Sequence, residues 1–162
     1  MIRVGFGYDS HVFDPSRPLK LGGIAIPDAP GLKGHSDADA LIHAVIDALL
    51  GAAALGDIGS HFPDTSDQWK DADSAELLKI VVGELEGKSW FVGNVDVTVI
   101  AEQPKLAPHV AAIRARLAAL LKCGLDDVSV KGKTNEGMDD VGAKKGLCVH
   151  AVAVIKRKGG RR

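Results

Sequence analysis

The sequence has few aromatic residues, almost no net charge and no long apolar stretch. Of its 162 residues, 4% are Phe, Trp or Tyr, and the formal net charge is −1. Proteins that bind nucleic acid or anionic membranes usually carry more positive charge or more stacking aromatics. The longest mostly apolar stretch, residues 44–55, contains Asp47 and is too short to span a bilayer. We therefore expect no nucleic-acid partner and no membrane partner.

Cysteine is also scarce. Cys123 and Cys148 are far apart and form no Cys-x-x-Cys pair, which excludes a zinc finger and a thioredoxin-like motif. Together with an N-terminus unlike a signal peptide, this scarcity predicts a reducing, cytoplasmic location; the alternative is a mature form from which a leader has already been trimmed. The proportions of hydrophobic (46%) and charged (25%) residues are typical of a globular protein. We expect one domain over residues 1–156 and a basic tail over residues 157–162.

The apolar pattern predicts alternating strands and helices. Period-two alternation and turn residues predict strands at 2–8, 19–26, 94–102, 128–133 and 147–158. The second strand is expected to pair with the first through a turn at 14–18. Helical periodicity predicts helices from Ser36, over 74–85, and from about 108 to 124, with loops at 56–71 and 134–145. This order predicts a two-layer α/β fold with helices packed on one sheet.

The first predicted helix has a polar stripe. Ser36 and Asp39 have the spacing of a capping box, and His43 and Asp47 continue the same face. Asp39 and Asp47 each lie four residues from His43, where either can hold its imidazole. His35 next to a helix start also suits phosphate binding, because free backbone N–H groups point outward there. The alternative for His35 is an ordinary surface histidine.

Asp9 and His11 have the spacing of metal ligands on a strand. Residues i and i+2 project to the same face, so this carboxylate and imidazole can hold one divalent ion. His43 would complete a two-histidine, one-carboxylate set, which suits zinc with one position open for a substrate oxygen. The alternative is a polar pair exposed to water.

Residues 131–136, with the sequence KGKTNE, combine basic, hydroxyl and carboxylate groups. Such a set fits a diphosphate and its magnesium ion, although a solvated loop is the simpler interpretation. The residues alone thus indicate a metal-dependent, phosphate-handling α/β protein without specifying a substrate.

Four segments carry a resemblance to a known family: GYDSHVF, GHSDADALIHAVIDALLGAAALGDIGSHFPDTS, NVDVTVIAEQPKLAPH and KGKTNEG. In this order they resemble 2-C-methyl-D-erythritol 2,4-cyclodiphosphate synthases of the methylerythritol phosphate route to isoprenoids. The resemblance implies a homotrimer with active sites between subunits. It also implies a four-stranded sheet with helices on one face plus a small hairpin. The implied reaction converts 4-diphosphocytidyl-2-C-methyl-D-erythritol 2-phosphate to the 2,4-cyclodiphosphate with release of CMP.

The resemblance also implies roles for individual residues. Asp9, His11 and His43 match zinc ligands, and Glu136 matches the ligand of a magnesium or manganese ion on the diphosphate. His35 and Thr134 match residues that stabilise the transition state. The implied substrate-binding positions are Asp9, Ser10, His11, His35, Ser36, Asp57, Ile58, Gly59, Phe62, Pro63, Asp64, Thr65, Ser66, Ala101, Glu102, Gln103, Pro104, Lys105, Leu106, Ala107, Lys133, Thr134, Asn135 and Glu136.

Some positions depart from the commoner pattern of this family. Ala38 replaces a glycine, a mild change if it lies inside a helix. In the implied cytidine pocket, backbone groups would read the base, so changes at the side chains of Glu102 and Leu106 are expected to be tolerated. Asp140, Ala143 and Lys145 stand where many members have Phe, Arg and Glu. Those three positions line a central cavity of the trimer in which isoprenoid diphosphates bind.

Two other functions stay open. A zinc-dependent phosphodiester hydrolase would use water and release a linear product. A non-catalytic, cytidine-nucleotide-binding trimer would use zinc for structure, but structural zinc normally has four protein ligands. The sequence offers three, which favours an open, catalytic site.

Overall fold

The chain folds as a mixed α/β structure. The computed structural model describes residues 1–157. Its strands and α-helices follow in the order β1 (Ile2–Leu21), β2 (Ile24–Leu32), α1 (Ala40–Ala53), α2 (Ile58–His61), α3 (Ser74–Gly87), β3 (Trp90–Ile100), α4 (Val110–Leu121), β4 (Val128–Lys133), α5 (Asp139–Gly142) and β5 (Gly146–Arg157). The strands form one sheet in the order β2-β1-β5-β3-β4, in which β3 and β4 are parallel and the other pairs antiparallel. The expected fold class is confirmed.

Strand β1 is long because it takes part in two pairings. Residues 2–12 pair with β5, and residues 13–21 pair with β2, with register shifts between Asp14 and Leu19. The described residues therefore form a five-stranded sheet, rather than four strands and a separate hairpin. The expected turn at 14–18 is wrong: the hairpin turns at Gly22 and Gly23, both with positive φ. Glycine adopts that backbone conformation without steric cost, so the Gly-Gly pair was the better turn signal.

Helix α1 lies unusually close to β1. A Cβ on Gly5 would lie 1.9 Å from the carbonyl oxygen of Ala48, and one on Gly7 equally close to that of Ala44. Only glycine permits this approach. Helices α1, α3 and α4 pack against the sheet, and α3 contacts both of the others. On the opposite face of β1 the apolar side chains are exposed; they are Ile2, Val4, Phe6, Tyr8 and Val12.

Helix α1 begins at Ala40 rather than at Ser36. Asp39 is its N-cap residue and accepts a hydrogen bond from the Ile42 N–H. Ser36 instead accepts from the Ala38 N–H within the preceding loop. Ala38 lies outside the helix with φ +58°, so it carries a left-handed backbone conformation that costs an L-residue energy. The expectation of a mild replacement inside a helix is therefore wrong.

The other elements follow the expected pattern with local additions. The expected helix at 74–85 and the strand at 128–133 are confirmed, and α4 follows a short 3₁₀ turn at Ala107–His109. Short helices interrupt both expected loops, namely α2, a 3₁₀ turn at Asp67–Trp69, and α5. Arg157 is the last residue of β5, whereas the rest of the expected tail, residues 158–162, lies outside the described residues. None of the helices described is long and apolar enough to cross a membrane.

Candidate active site

Asp9 and His11 on β1 and His43 on α1 form one cluster. Asp9 Oδ2 lies 2.9 Å from His11 Nε2 and 3.1 Å from His43 Nδ1. The three ligand atoms all lie within 4.8 Å of one another. Within residues 1–157, this is the only group of three or more His, Cys, Asp or Glu side chains arranged to hold a metal ion.

The donor atoms of this cluster fit a divalent cation. His11 Nδ1 lies 2.6 Å from the carbonyl oxygen of Lys33, to which it donates, so Nε2 is the nitrogen left with a lone pair. That Nε2 atom is buried and has no aligned hydrogen-bond partner in the described structure, although it faces Asp9. Two imidazoles and one carboxylate are a common ligand set for zinc and related ions.

The cluster is also electrostatically tuned. Burial acts to raise the pKa of Asp9, but the close contacts and positive charge of the His11 and His43 imidazoles outweigh burial and lower this pKa to about 2. For His11, burial acts to lower the pKa, but the close contact with Asp9 and its negative charge more than offset burial, so the pKa is raised. The Asp9 carboxylate is therefore ionised and able to bind a cation at neutral pH.

A cavity of about 400 Å³ opens next to the cluster. It is lined by Asp9, His11, Gly34, His35, Ser36, His43, Ile58, Gly59, Phe62, Asp64, Trp69 and Leu77. Many of the substrate-binding residues expected from the sequence thus surround one space. Asp57, Pro63, Thr65 and Ser66 belong to the adjoining segment, and Ser10 instead lines a groove on the outer face of the sheet.

The loop that carries His35 is held by Arg17. The guanidinium donates to the carbonyl oxygen of Gly34 at 2.6 Å and to that of Ser36, on either side of His35. His35 Nε2 lies 3.3 Å from the carbonyl oxygen of Ser66. The helix start expected beside His35 is not found there, because α1 starts later and Asp39 accepts from its first turn. Arg17 was missed in the sequence because its acceptors are backbone atoms of another segment.

The expected supports of His43 are wrong as well. Asp39 is completely buried and accepts from Gly22 and Gly23, and Asp47 accepts from the Ile58 N–H. His43 Nε2 instead lies near two serine hydroxyls, Ser74 at 2.9 Å and Ser36 at 3.2 Å. Nothing in the local sequence identifies Ser74, which is 31 residues from His43.

A second cavity, of about 330 Å³, lies beside the segment 101–107. Its lining includes Ala101, Glu102, Pro104, Lys105, Leu106, Ala107, Lys133 and Thr134. Gln103 belongs to the same segment and precedes a cis peptide bond to Pro104. Among the described residues, no residue lines both this cavity and the one at Asp9. A single chain therefore does not bring Thr134 to the cluster.

The side chains of Glu102 and Leu106 both have specific contacts in this segment. Glu102 Oε1 accepts from the backbone N–H of Asn135 at 2.9 Å and of Gly137 at 3.3 Å. Leu106 is buried and lies against Gly132, where a Cβ would come within 3.0 Å of it. Glu102 thereby shapes the loop that carries Glu136, whose exposed carboxylate accepts from Thr134 Oγ1 at 3.0 Å.

This combination defines a class of protein, an α/β enzyme with a candidate divalent-cation site of three protein donors beside a substrate-sized cavity. The chain belongs to the YgbB family, whose model matches residues 2–156. The 2-C-methyl-D-erythritol 2,4-cyclodiphosphate synthase of Alcanivorax borkumensis is 51% identical, over 96% of this chain and 97% of the relative. The resemblance carried by the four sequence segments is therefore confirmed.

Solved structures agree with this assignment. IspF of Plasmodium falciparum in a CDP complex is 34% identical with a TM-score of 0.85, covering 98% of this chain and 97% of that one. The bifunctional IspDF from Campylobacter jejuni is 39% identical with a TM-score of 0.94. That alignment covers 98% of this chain and 43% of the bifunctional chain, so this protein spans less than half of that longer one.

Proposed function

We propose that this protein converts 4-diphosphocytidyl-2-C-methyl-D-erythritol 2-phosphate to 2-C-methyl-D-erythritol 2,4-cyclodiphosphate and CMP, as a phosphorus–oxygen lyase of isoprenoid precursor biosynthesis. An oxygen of the 2-phosphate attacks the β-phosphorus, and the bond from that phosphorus to the CMP oxygen breaks. The observation that carries the proposal is the open Asp9–His11–His43 cluster in a chain of this family.

The ligand set favours zinc at the cluster. Asp9 Oδ2, His11 Nε2 and His43 Nδ1 would hold it, leaving a position for a substrate oxygen. When bound there, zinc supplies a Lewis acid for the β-phosphate. The Glu136 carboxylate is a hard oxygen ligand, suited to a magnesium or manganese ion that accompanies the diphosphate.

The remaining residues bind and orient the substrate. Phosphoryl transfer is catalysed mainly by positioning and charge stabilisation, so hydrogen-bond donors matter most. His35, fixed by Arg17, and the Thr134 hydroxyl would donate to phosphate oxygens. Ser36 and residues 57–66 would hold the methylerythritol end, and residues 101–107 the cytidine. Lys133, Asn135 and Glu136 belong to the diphosphate end.

We further infer that the active form is a homotrimer. The exposed apolar row on β1, continued by Val152 on β5, is the kind of surface that a subunit interface covers. Assembly would let the cavity at Asp9 in one subunit meet the cavity with Thr134 in a neighbour. This arrangement supplies the donors that a single chain keeps apart. The expectation of a cytoplasmic location rests on the scarce cysteines.

Product analysis tests this function. Purified protein with zinc and magnesium is incubated with the cytidine diphosphate substrate, and the products are resolved by phosphorus NMR. We expect a cyclic diphosphate and CMP in equal amounts. A linear hydrolysed product would support the hydrolase alternative, and binding without turnover would support a cytidine-nucleotide-binding module. Light scattering on the same sample should give three times the 16.9 kDa chain mass, and a monomer would contradict the trimer.

A further inference from the structure

The imidazole of His43 is contacted on two sides. Its Nδ1 faces Asp9 Oδ2 at 3.1 Å, within the metal cluster. Its Nε2 faces away from that carboxylate contact, toward Ser74 Oγ at 2.9 Å and Ser36 Oγ at 3.2 Å. One ring nitrogen therefore belongs to the cluster, and the other is held by hydroxyl groups of other segments.

The Ser74 hydroxyl has a fixed direction. Ser74, the first residue of α3, is completely buried, and its Oγ donates to Asp37 Oδ1. The other carboxylate oxygen of Asp37 accepts from the Ser74 N–H and from Lys20 Nζ, each at 3.1 Å. Burial acts to raise the pKa of Asp37, but these hydrogen bonds outweigh it and lower the pKa. An ionised carboxylate only accepts hydrogen bonds, so the single hydroxyl proton of Ser74 points at Asp37.

That direction favours a proton on one nitrogen of His43. With its own proton committed to Asp37, Ser74 Oγ can only accept from His43, and it is nearer to Nε2 than Ser36 Oγ is, so this contact favours a proton on Nε2. A neutral imidazole then has its lone pair on Nδ1, where a cation bound between His43 and Asp9 would accept it; without a cation this lone pair would face the Asp9 carboxylate. In the other tautomer the lone pairs of His43 Nε2 and Ser74 Oγ would face each other at 2.9 Å.

We propose that Asp37 and Ser74 are positioning residues that hold His43 in the Nε2–H tautomer and so make Nδ1 its metal ligand. The proposal rests on the proposed function, which assigns a metal to His43. Metal-ligating histidines commonly donate their second N–H to a carboxylate or carbonyl, which orients the ring. Here a buried serine hydroxyl lies between the histidine and the carboxylate.

Metal affinity measured by chelator competition tests the proposal without relying on turnover. Loss of a group that orients a metal ligand typically costs 10- to 100-fold, so we expect Ser74→Ala to weaken zinc binding by roughly that factor. Asp37→Asn should also weaken it, because its amide can donate to Ser74 Oγ and release the hydroxyl proton toward His43. Ser16→Ala is the matched control: Ser16 Oγ donates to Asp14 at 2.6 Å in an exposed segment, and its loss should leave the affinity unchanged.

The tautomer itself is a second readout. A long-range proton–nitrogen NMR spectrum of the zinc-loaded, histidine-labelled protein should show His43 protonated at Nε2 and bound through Nδ1. Zinc bound through Nε2 would overturn the proposal, as would wild-type affinity in a folded Asp37→Asn or Ser74→Ala variant. A wild-type protein that binds no zinc would overturn the proposed function as well, so the two failures are distinguishable.

Discussion

Asp39 Oδ1 accepts a hydrogen bond from the backbone N–H of Gly22 at 2.9 Å, which joins the start of helix α1 to the β1–β2 hairpin turn. Two further N–H groups donate to the same carboxylate, Gly23 at 2.6 Å and Ile42 at 3.0 Å. The carboxylate is completely buried. Because α1 carries His43, this contact fixes the position of one metal-ligand candidate relative to the hairpin.

Replacement of Asp39 should therefore destabilise the fold. Asp39→Ala leaves three N–H groups without their acceptor, and we expect the free energy of unfolding to fall by about 3 kcal/mol. Urea unfolding followed by circular dichroism measures the change. The exposed Asp126→Ala is the control and should stay within about 0.5 kcal/mol of the wild type. A comparably small change for Asp39→Ala would show that the carboxylate does not stabilise this junction.

His43→Ala should abolish tight zinc binding and nearly all turnover. It removes one of three protein donors and leaves two, too few for a tight zinc site. Metal analysis and size-exclusion chromatography of the purified variant measure zinc content and assembly, and we expect the assembly to persist. His109→Ala, outside the cluster, should retain its zinc. Full zinc occupancy with wild-type turnover in His43→Ala would remove this residue from the site.

Glu136→Gln should retain zinc and weaken the second ion. The amide lacks the negative charge that favours magnesium, so we expect a several-fold higher magnesium concentration for half-maximal rate. Excess magnesium should partly restore turnover. Glu76→Gln, an exposed glutamate on α3, is the matched control. An unchanged magnesium dependence in Glu136→Gln would exclude Glu136 as a ligand of that ion.

Glu102→Ala should impair substrate binding without affecting zinc. The change removes the acceptor for the Asn135 and Gly137 N–H groups and frees the loop that carries Glu136. A loss near 1.4 kcal/mol corresponds to roughly a tenfold rise in KM. Glu102→Gln retains one acceptor oxygen and should be intermediate. Steady-state kinetics at saturating zinc and magnesium measure both variants, and an unchanged KM would mean that backbone contacts alone shape this pocket.

Isoprenoid diphosphates should bind this protein weakly. In the outer groove of the sheet, Lys145 Nζ donates to Asp140 Oδ1 at 2.8 Å, so its charge is already paired. Ala143 offers no charge at a position where the resemblance to the family leads us to expect Arg in many members. Calorimetric titration with farnesyl diphosphate, with CDP blocking the active site, measures the affinity. Asp140→Ala should free Lys145 and tighten binding, whereas micromolar binding by the wild type would contradict the prediction.

Features encoded within one segment could be predicted from the sequence. Asp9 and His11 project to one face because strand geometry repeats every two residues, and the structure brings both to the cluster with His43. Helix α3 and strand β4 were predicted because their apolar periodicity is local. The family was recognisable from four continuous segments, because a match within a continuous segment depends only on the order of its residues and not on the fold.

Only the tertiary structure decided how distant segments meet. Asp39 rather than Ser36 caps α1. Two N–H groups that donate to the buried Asp39 carboxylate belong to Gly22 and Gly23, in a turn that lies 17 and 16 residues away in the sequence. Gly5 and Gly7 carry no motif of their own, and their role follows from the close approach of α1. Ser74 contacts His43, which is 31 residues away in the sequence. Arg17 donates to the carbonyl oxygens of Gly34 and Ser36, which are 17 and 19 residues away. Periodicity records the exposure of each residue within its own element, but the partner of a buried polar group is set by packing between elements.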